Sequence, residues 1–212
     1  WRKITEGNGS FKFEIADTPK DLDEKLTFHH EEGRSVRLVA SYGREWKTKN
    51  VNNPHDLPQE QKDFHIPYKH EGKTKYWSRI WNYTPGSKYQ YYVQAPVGTK
   101  MHDNPLCEVG CPYVVRGFDY DYLGVLWLND LIWRGDRWMV NLDGIYESAW
   151  NITLSNARKE AEKGIIGPDT EEIIQNLQKG YRILLSRAIR GIYVWFEDEE
   201  TSQHVEKMLA QS

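Results

Sequence analysis

Apolar positions along this chain change period several times, and each change marks a predicted element. Thr18-Pro19-Lys20-Asp21 places a capping hydroxyl, a proline at the first helical position and an acid in the first turn. That pattern predicts a helix running to about His30, with Leu22 and Leu26 on its inward stripe. After Gly33 the run Ser35-Val36-Arg37-Leu38-Val39-Ala40 is short, apolar and β-branched, which predicts a strand entering the turn Ser41-Tyr42-Gly43-Arg44. Two further strand-like runs, Glu108 to Val115 and Tyr122 to Leu128, flank a turn at Gly117. The second is apolar almost throughout, as expected of a strand covered on both faces in a mainly parallel sheet. Asp169 and Glu172 open a capping-box-like helix whose stripe of Ile173, Ile174, Leu177, Tyr181, Leu184, Leu185 and Ala188 ends at Gly191. Ile192 to Phe196 reads as a buried strand, and Ser202 to Ala210 as a closing helix with Val205, Met208 and Leu209 inward.

Between these elements the period is lost. From Lys47 to about Gln61 the chain is polar and punctuated by Asn52, Asn53, Pro54 and Pro58, which predicts a mobile loop. From Tyr68 to Tyr92 aromatics interleave with Lys69, Lys73, Lys75, Arg79 and Lys88, and Tyr89 to Val93 forms a strand candidate. Tyr76, Trp77, Arg79 and Trp81 are the candidate nucleic-acid contacts, because cations that track phosphates beside aromatics that stack on bases hold single strands. The same aromatics also suit a small core inside an insertion, and both readings stand. Glu71-Gly72-Lys73-Thr74 resembles the end of a phosphate loop, but Pro67 occupies the leading glycine position, so a lysine-rich turn is expected.

Composition narrows the picture without naming a function. The 212 residues suit one α/β domain, and a formal net charge of −3 provides no global basic field, so a nucleic-acid contact would need a local patch. Two cysteines, Cys107 and Cys111, are too few for a disulfide scaffold and fit a reducing, cytoplasmic setting. Neither a signal peptide nor a spanning segment is read, and the start at Trp1 reads as an excised fragment. His102, Cys107 and Cys111 are irregularly spaced, so no metal site is expected.

Two stretches carry the chemistry: Arg116-Gly117-Phe118-Asp119-Tyr120-Asp121-Tyr122-Leu123-Gly124-Val125 and Tyr181-Arg182-Ile183-Leu184-Leu185-Ser186-Arg187-Ala188. Their order and spacing resemble motifs V and VI of superfamily 1 helicases, particularly the Schlafen group 3 DNA/RNA helicase domain. Tyr113, Val114 and Arg116 stand where relatives commonly carry histidine, threonine and glutamine, and Asp119 where they carry glutamate.

The resemblance implies a RecA-like α/β fold: a mainly parallel sheet, helices on both faces and an irregular insertion at about 42–100, with residues 1–212 forming the C-terminal motor half. It implies that the full protein is a nucleic-acid-dependent ATPase or helicase using ATP and Mg2+. The partners implied are the N-terminal RecA-like domain of the same protein and single-stranded DNA or RNA, with no membrane. Arg187 takes the place of the motif VI arginine, which neutralises charge developing on the γ-phosphate. Gly117, Asp119, Arg182, Arg116 and Arg44 are the other nucleotide-side candidates, Arg182 being equally suited to a structural ion pair and Arg44 to anchoring a surface loop. This piece alone is expected to be inactive and to bind no cofactor stably, because the phosphate loop belongs to the other half. The alternative is a degenerate helicase-like module that acts as a nucleic-acid-binding or protein-interaction scaffold.

Overall fold

Residues 11–83, 91 and 95–211 are described in the computed structural model. Four strands, β1 (Lys12–Ile15), β2 (Val36–Ala40), β6 (Tyr120–Trp127) and β9 (Ala188–Phe196), form a sheet of order β1-β9-β6-β2 in which every pairing is parallel. Side chains alternate between its faces, as the pleat requires. Leu123, Val125, Trp127, Ile192, Val194 and Phe196 point into one hydrophobic cluster, while Leu38, Ala40, Leu126, Tyr193 and Trp195 point into the other. Helix α1 (Pro19–Glu31) covers the second face with Leu22 and Leu26; Thr18 Oγ1 accepts from the Asp21 N–H and caps it. Helices α3 (Asn151–Glu162), α4 (Pro168–Leu185) and α5 (Glu199–Ala210) contribute to the first cluster through Leu154, Ile173, Leu177 and Val205. A parallel sheet with helices on both faces is the α/β architecture expected of a RecA-like domain.

The stretch between β2 and β6 extends this sheet. Strands β3 (Phe64–His70) and β4 (Lys73–Trp81) form an antiparallel hairpin whose turn places Glu71 and Gly72 at φ 50° and 74°, the left-handed pair of a tight two-residue connection. The Gly-Lys-Thr tripeptide is therefore part of a hairpin, as its lysine-rich turn reading anticipated. β4 pairs with the short parallel strand β5 (Glu108–Val109), and a bridge between Val39 and Gly110 joins β5 to β2. A one-turn helix, α2 (Lys100–Asp103), precedes β5, and a second hairpin, β7 (Leu131–Arg134) with β8 (Arg137–Val140), follows β6. Among the described residues, no helix is long and apolar enough to cross a membrane.

Several boundaries differ from the sequence pattern. The strand anticipated from Glu108 to Val115 stops at Val109; Cys111 to Phe118 runs as turns, with Pro112 lacking an N–H and Gly117 at φ 88°. Val114 and Val115 are buried, so their apolar character serves packing and not a ladder. Helix α4 ends at Leu185, placing Ala188 and Gly191 in β9, where a Cβ on Gly191 would lie 3.0 Å from the Lys12 carbonyl oxygen. α4 begins at Pro168, and its open N–H groups at Asp169 and Thr170 donate to Glu160 of α3, so its cap comes from a neighbouring helix and not from the Asp169/Glu172 box. Met208 is exposed and not inward. Helix α3, strand β1 and both hairpins went unread because none carries a sustained period in the sequence. Of the Tyr89–Val93 strand candidate, every residue except Tyr91 lies outside the described residues.

One buried ion pair pins the extension to the main sheet. Arg37 of β2 donates to Glu108 of β5 at 2.8 Å, to the Pro105 carbonyl at 3.0 Å and toward the Met101 sulfur, and both charged side chains are fully buried. Removing one partner strands the other charge in the core. Arg37→Met should therefore lower unfolding free energy by about 3–5 kcal/mol, read as a fall in the urea midpoint. A double variant with Glu108→Leu should recover part of that loss.

Candidate functional site

Because all four strands of the main sheet run the same way, every loop between them belongs to one of two edges. The sequence candidates divide between these edges. At the edge where the strands begin, the turn before β6 carries Arg116, Gly117 and Asp119, and the link from α4 to β9 carries Arg187. Asp119 and Arg187 meet there, with Arg187 Nη1 3.7 Å from Asp119 Oδ1. Backbone pairing holds the meeting in place: the Tyr120 N–H donates to the Arg187 carbonyl at 2.9 Å, and the Arg187 N–H donates to the Leu184 carbonyl. The Arg187 side chain is 31% exposed, yet its Nε is buried without a hydrogen-bond partner. Its guanidinium therefore retains unused donors.

Three of the candidates at this edge have open geometry. Gly117 at φ 88° has nothing within 4 Å of the place a Cβ would occupy, so glycine is required there by the backbone and not by crowding. Arg116 is exposed and lies with its guanidinium carbon 5.8 Å from the centroid of the Tyr113 ring. Arg182 is exposed in the last turn of α4 and forms no ion pair among the described residues. A residue that sequence reasoning passed over organises the same edge. Asp121 accepts from the Ser35 N–H and hydroxyl, both at 3.0 Å, and from Arg190 Nε at 2.7 Å. These bonds, the backbone one foremost, hold its carboxyl below the ordinary carboxylate range. The signal was present in the second acid of Asp119-Tyr120-Asp121.

Arg44 occupies the opposite edge, at the ends of the strands, where it pairs with Glu197 just after β9. The structure thus brings Arg187, Asp119, Gly117 and Arg116 onto one edge and separates Arg44 from them. The same ends of β2 and β6 lead into a buried polar network. Tyr181 of α4 donates its hydroxyl to Asp130 Oδ1 at 2.7 Å and accepts from the Leu128 N–H at 3.1 Å, while Ser41 Oγ lies 2.9 Å from the same phenolic oxygen. Tyr181 also stacks on Trp127, with ring centroids 3.8 Å apart. Asp130 is completely buried with Oδ2 unpartnered, and burial raises its carboxyl to about 6. The helical period places Tyr181 on the inward stripe, whereas the partners of its hydroxyl come from β2 and β6 loops that meet it only in the fold.

The aromatic–basic stretch is largely structural. Trp77 and Trp81 are 3% and 1% exposed, inside the cluster beneath α1, so neither indole has a face open to a base. Arg79 donates to the Leu106 carbonyl at 2.7 Å and to Asp23 of α1 at 2.6 Å. Tyr76, at 50% exposure, is the outward residue of the four and stacks on His65 with parallel rings 4.3 Å apart. Of the cysteines, Cys107 is partly buried and its thiol is pushed up to about 12 by burial, and Cys111 is buried.

The fold is that of a RecA-like α/β domain, with its candidate residues concentrated at the starting edge of a parallel sheet. A family model described as Schlafen group 3, DNA/RNA helicase domain, matches residues 2–198, and the chain belongs to that family. No significant match was found among curated proteins or among solved structures. Membership makes the domain helicase-like and nucleotide-binding in its broad class.

The Asp130 network provides a pH test. The folded chain holds this proton up to about pH 6, whereas the unfolded chain releases it near the ordinary 3.8. Stability should fall as pH rises through that window, by about 3 kcal/mol in total at roughly 1.4 kcal/mol per unit. Urea midpoints measured across it should show this component in the parent chain and its absence in Asp130→Asn.

Proposed function

We propose that this chain is the C-terminal motor half of a nucleic-acid-dependent ATPase or helicase and supplies the arginine side of an ATP site completed by an N-terminal RecA-like domain of the same protein. The reading rests chiefly on the Asp119–Arg187 meeting, which joins the residues matching motifs V and VI at one sheet edge. Arg187 is anchored through its backbone, partly exposed and weakly paired, so it is free to turn from Asp119 toward a γ-phosphate while Asp119 sets its resting position. A guanidinium fixed there stabilises charge that develops as the phosphoryl group transfers. Arg182, one turn earlier in α4, adds a second cation, and Asp119 is available to a ribose hydroxyl or a phosphate-side network once released. Mg2+ would be held by that N-terminal domain, so this chain by itself would turn over no ATP. Arg44, on the far edge and paired with Glu197, serves as a loop anchor in this reading.

The test is ATP hydrolysis by the full-length protein, with and without single-stranded DNA and RNA, beside Arg187→Ala. Stimulated turnover should fall by about 10³-fold or more in the variant, while ATP affinity changes by less than about tenfold. Nucleic-acid binding without turnover in the parent protein would instead establish a helicase-like scaffold.

A further inference from the structure

Away from the starting edge, four oxidisable side chains touch in series from the surface to the middle of the domain. Trp133 and Trp138 are register partners across the hairpin of β7 and β8, with ring centroids 5.4 Å apart. Trp138 stacks on Trp127 of β6 at 5.5 Å, and Trp127 stacks on Tyr181 of α4 at 3.8 Å with the ring planes 10° apart. Exposure falls along the series, since Trp133 and Trp138 are half-buried whereas Trp127 and Tyr181 are buried. The two outer indoles also line a surface cavity of about 540 Å³ to which Asp136 and Glu171 contribute. The series is therefore open to small molecules at one end and closed at the other.

What the closed end meets makes this more than a packed aromatic cluster. Phenylalanine would fill similar space and stack as well, whereas tryptophan and tyrosine also give up an electron readily. A phenol that loses an electron becomes a strong acid, so tyrosine is a good electron donor only where a base already stands at its hydroxyl. Tyr181 has one: its hydroxyl donates to Asp130 Oδ1 at 2.7 Å, inside the core. Burial sets the Asp130 carboxyl at about 6, so a carboxylate is present at neutral pH and above. Burial first, and then the Asp130 charge, hold the Tyr181 phenol well above its ordinary range, so its proton stays until an electron leaves. A buried, unpaired carboxylate is costly, and packing alone gives no reason to keep one here.

We propose that Trp133, Trp138, Trp127 and Tyr181 form a one-electron transfer chain that carries an oxidising equivalent from the hairpin surface to Tyr181, with Asp130 taking the phenolic proton. A one-electron oxidant at the hairpin accepts an electron from Trp133 or Trp138 and is itself reduced. The vacancy passes to Trp127 as each indole is re-reduced by the next. Tyr181 then gives its electron to the Trp127 radical cation and its proton to the Asp130 carboxylate, leaving a neutral tyrosyl radical and a carboxylic acid. The hydrogen bond survives with its direction reversed, because the new acid donates to the phenoxyl oxygen, so no buried group is stranded. An electron from a thiol or ascorbate, with the proton returned by Asp130, restores the starting state. The chain uses neither Arg187 nor Asp119, so it stands apart from the nucleotide reading.

The experiment is flash oxidation of the 212-residue chain by photogenerated tris(bipyridine)ruthenium(III), with freeze-quenched samples read by electron paramagnetic resonance. The parent chain should give a neutral tyrosyl signal. Tyr181→Phe should lose that signal and leave a tryptophan radical in its place. Asp130→Asn keeps a hydrogen-bond acceptor beside Tyr181 but removes the base, and should likewise leave the radical on tryptophan. Trp138→Phe interrupts the series at the half-buried hairpin and should lose the tyrosyl signal with Tyr181 still present. Melting temperatures establish that each variant is folded, and Trp138→Phe keeps the test decisive if Tyr181→Phe is not. A tyrosyl yield unchanged in folded Trp138→Phe or Tyr181→Phe would place the oxidation on exposed tyrosines such as Tyr76, Tyr113 or Tyr146 and overturn the proposal. A tryptophan radical that never passes to tyrosine in the parent chain overturns it equally.

Discussion

Strand β6 is bonded on both edges and covered on both faces, and the rest of the domain is organised by that constraint. Its N–H and carbonyl groups have no water to turn to, so parallel neighbours must satisfy them: β9 on one side and β2 on the other. Its side chains must then supply two cores at once. Gly124 shows how closely the layers approach, since a Cβ there would lie 2.5 Å from Leu26 of α1. A buried parallel strand also fixes where loops emerge, because each connection must cross a face and re-enter at the same edge. The Asp119 turn and the Arg187 link are therefore neighbours for topological reasons before any electrostatic attraction between them acts.

The two edges carry different chemistry. The starting edge holds, beside the firmly bonded Asp121, accessible and lightly paired groups: Arg187 against Asp119, Arg116 over Tyr113, and Arg182 without an ion pair among the described residues. The ending edge holds committed groups, with Arg44 on Glu197 and with Asp130 accepting from the Tyr181 hydroxyl and the Leu131 N–H while Tyr181 accepts from the Leu128 N–H. Lightly paired cations can exchange a side-chain carboxylate for a phosphate at small cost, whereas a buried network cannot be opened without stranding its members. That contrast is why the proposed nucleotide contact is placed at the first edge, while the second is held rigid.

The elements legible in the sequence were those with a sustained period or a local signal. Helix α1 came from Thr18 and Pro19, β2 from a β-branched run, and the stripe of α4 from a 3.6-residue repeat. Elements that depend on distant partners were not legible. The hairpin of β3 and β4 is built from lysines, tyrosines and tryptophans whose alternation makes sense only once Trp77 and Trp81 are placed beneath α1. The interleaved cations likewise suggested a strand-binding surface, yet Arg79 was answering Asp23, 56 residues away in sequence.

By itself the sequence determined the α/β class, the family and the residues that match its motifs, because periodicity, capping and short motifs are local properties of the chain. Tertiary structure alone decided which aromatics are exposed and which are buried in the core. It also decided which arginines share an edge, since this depends on segments that meet only after the sheet has formed.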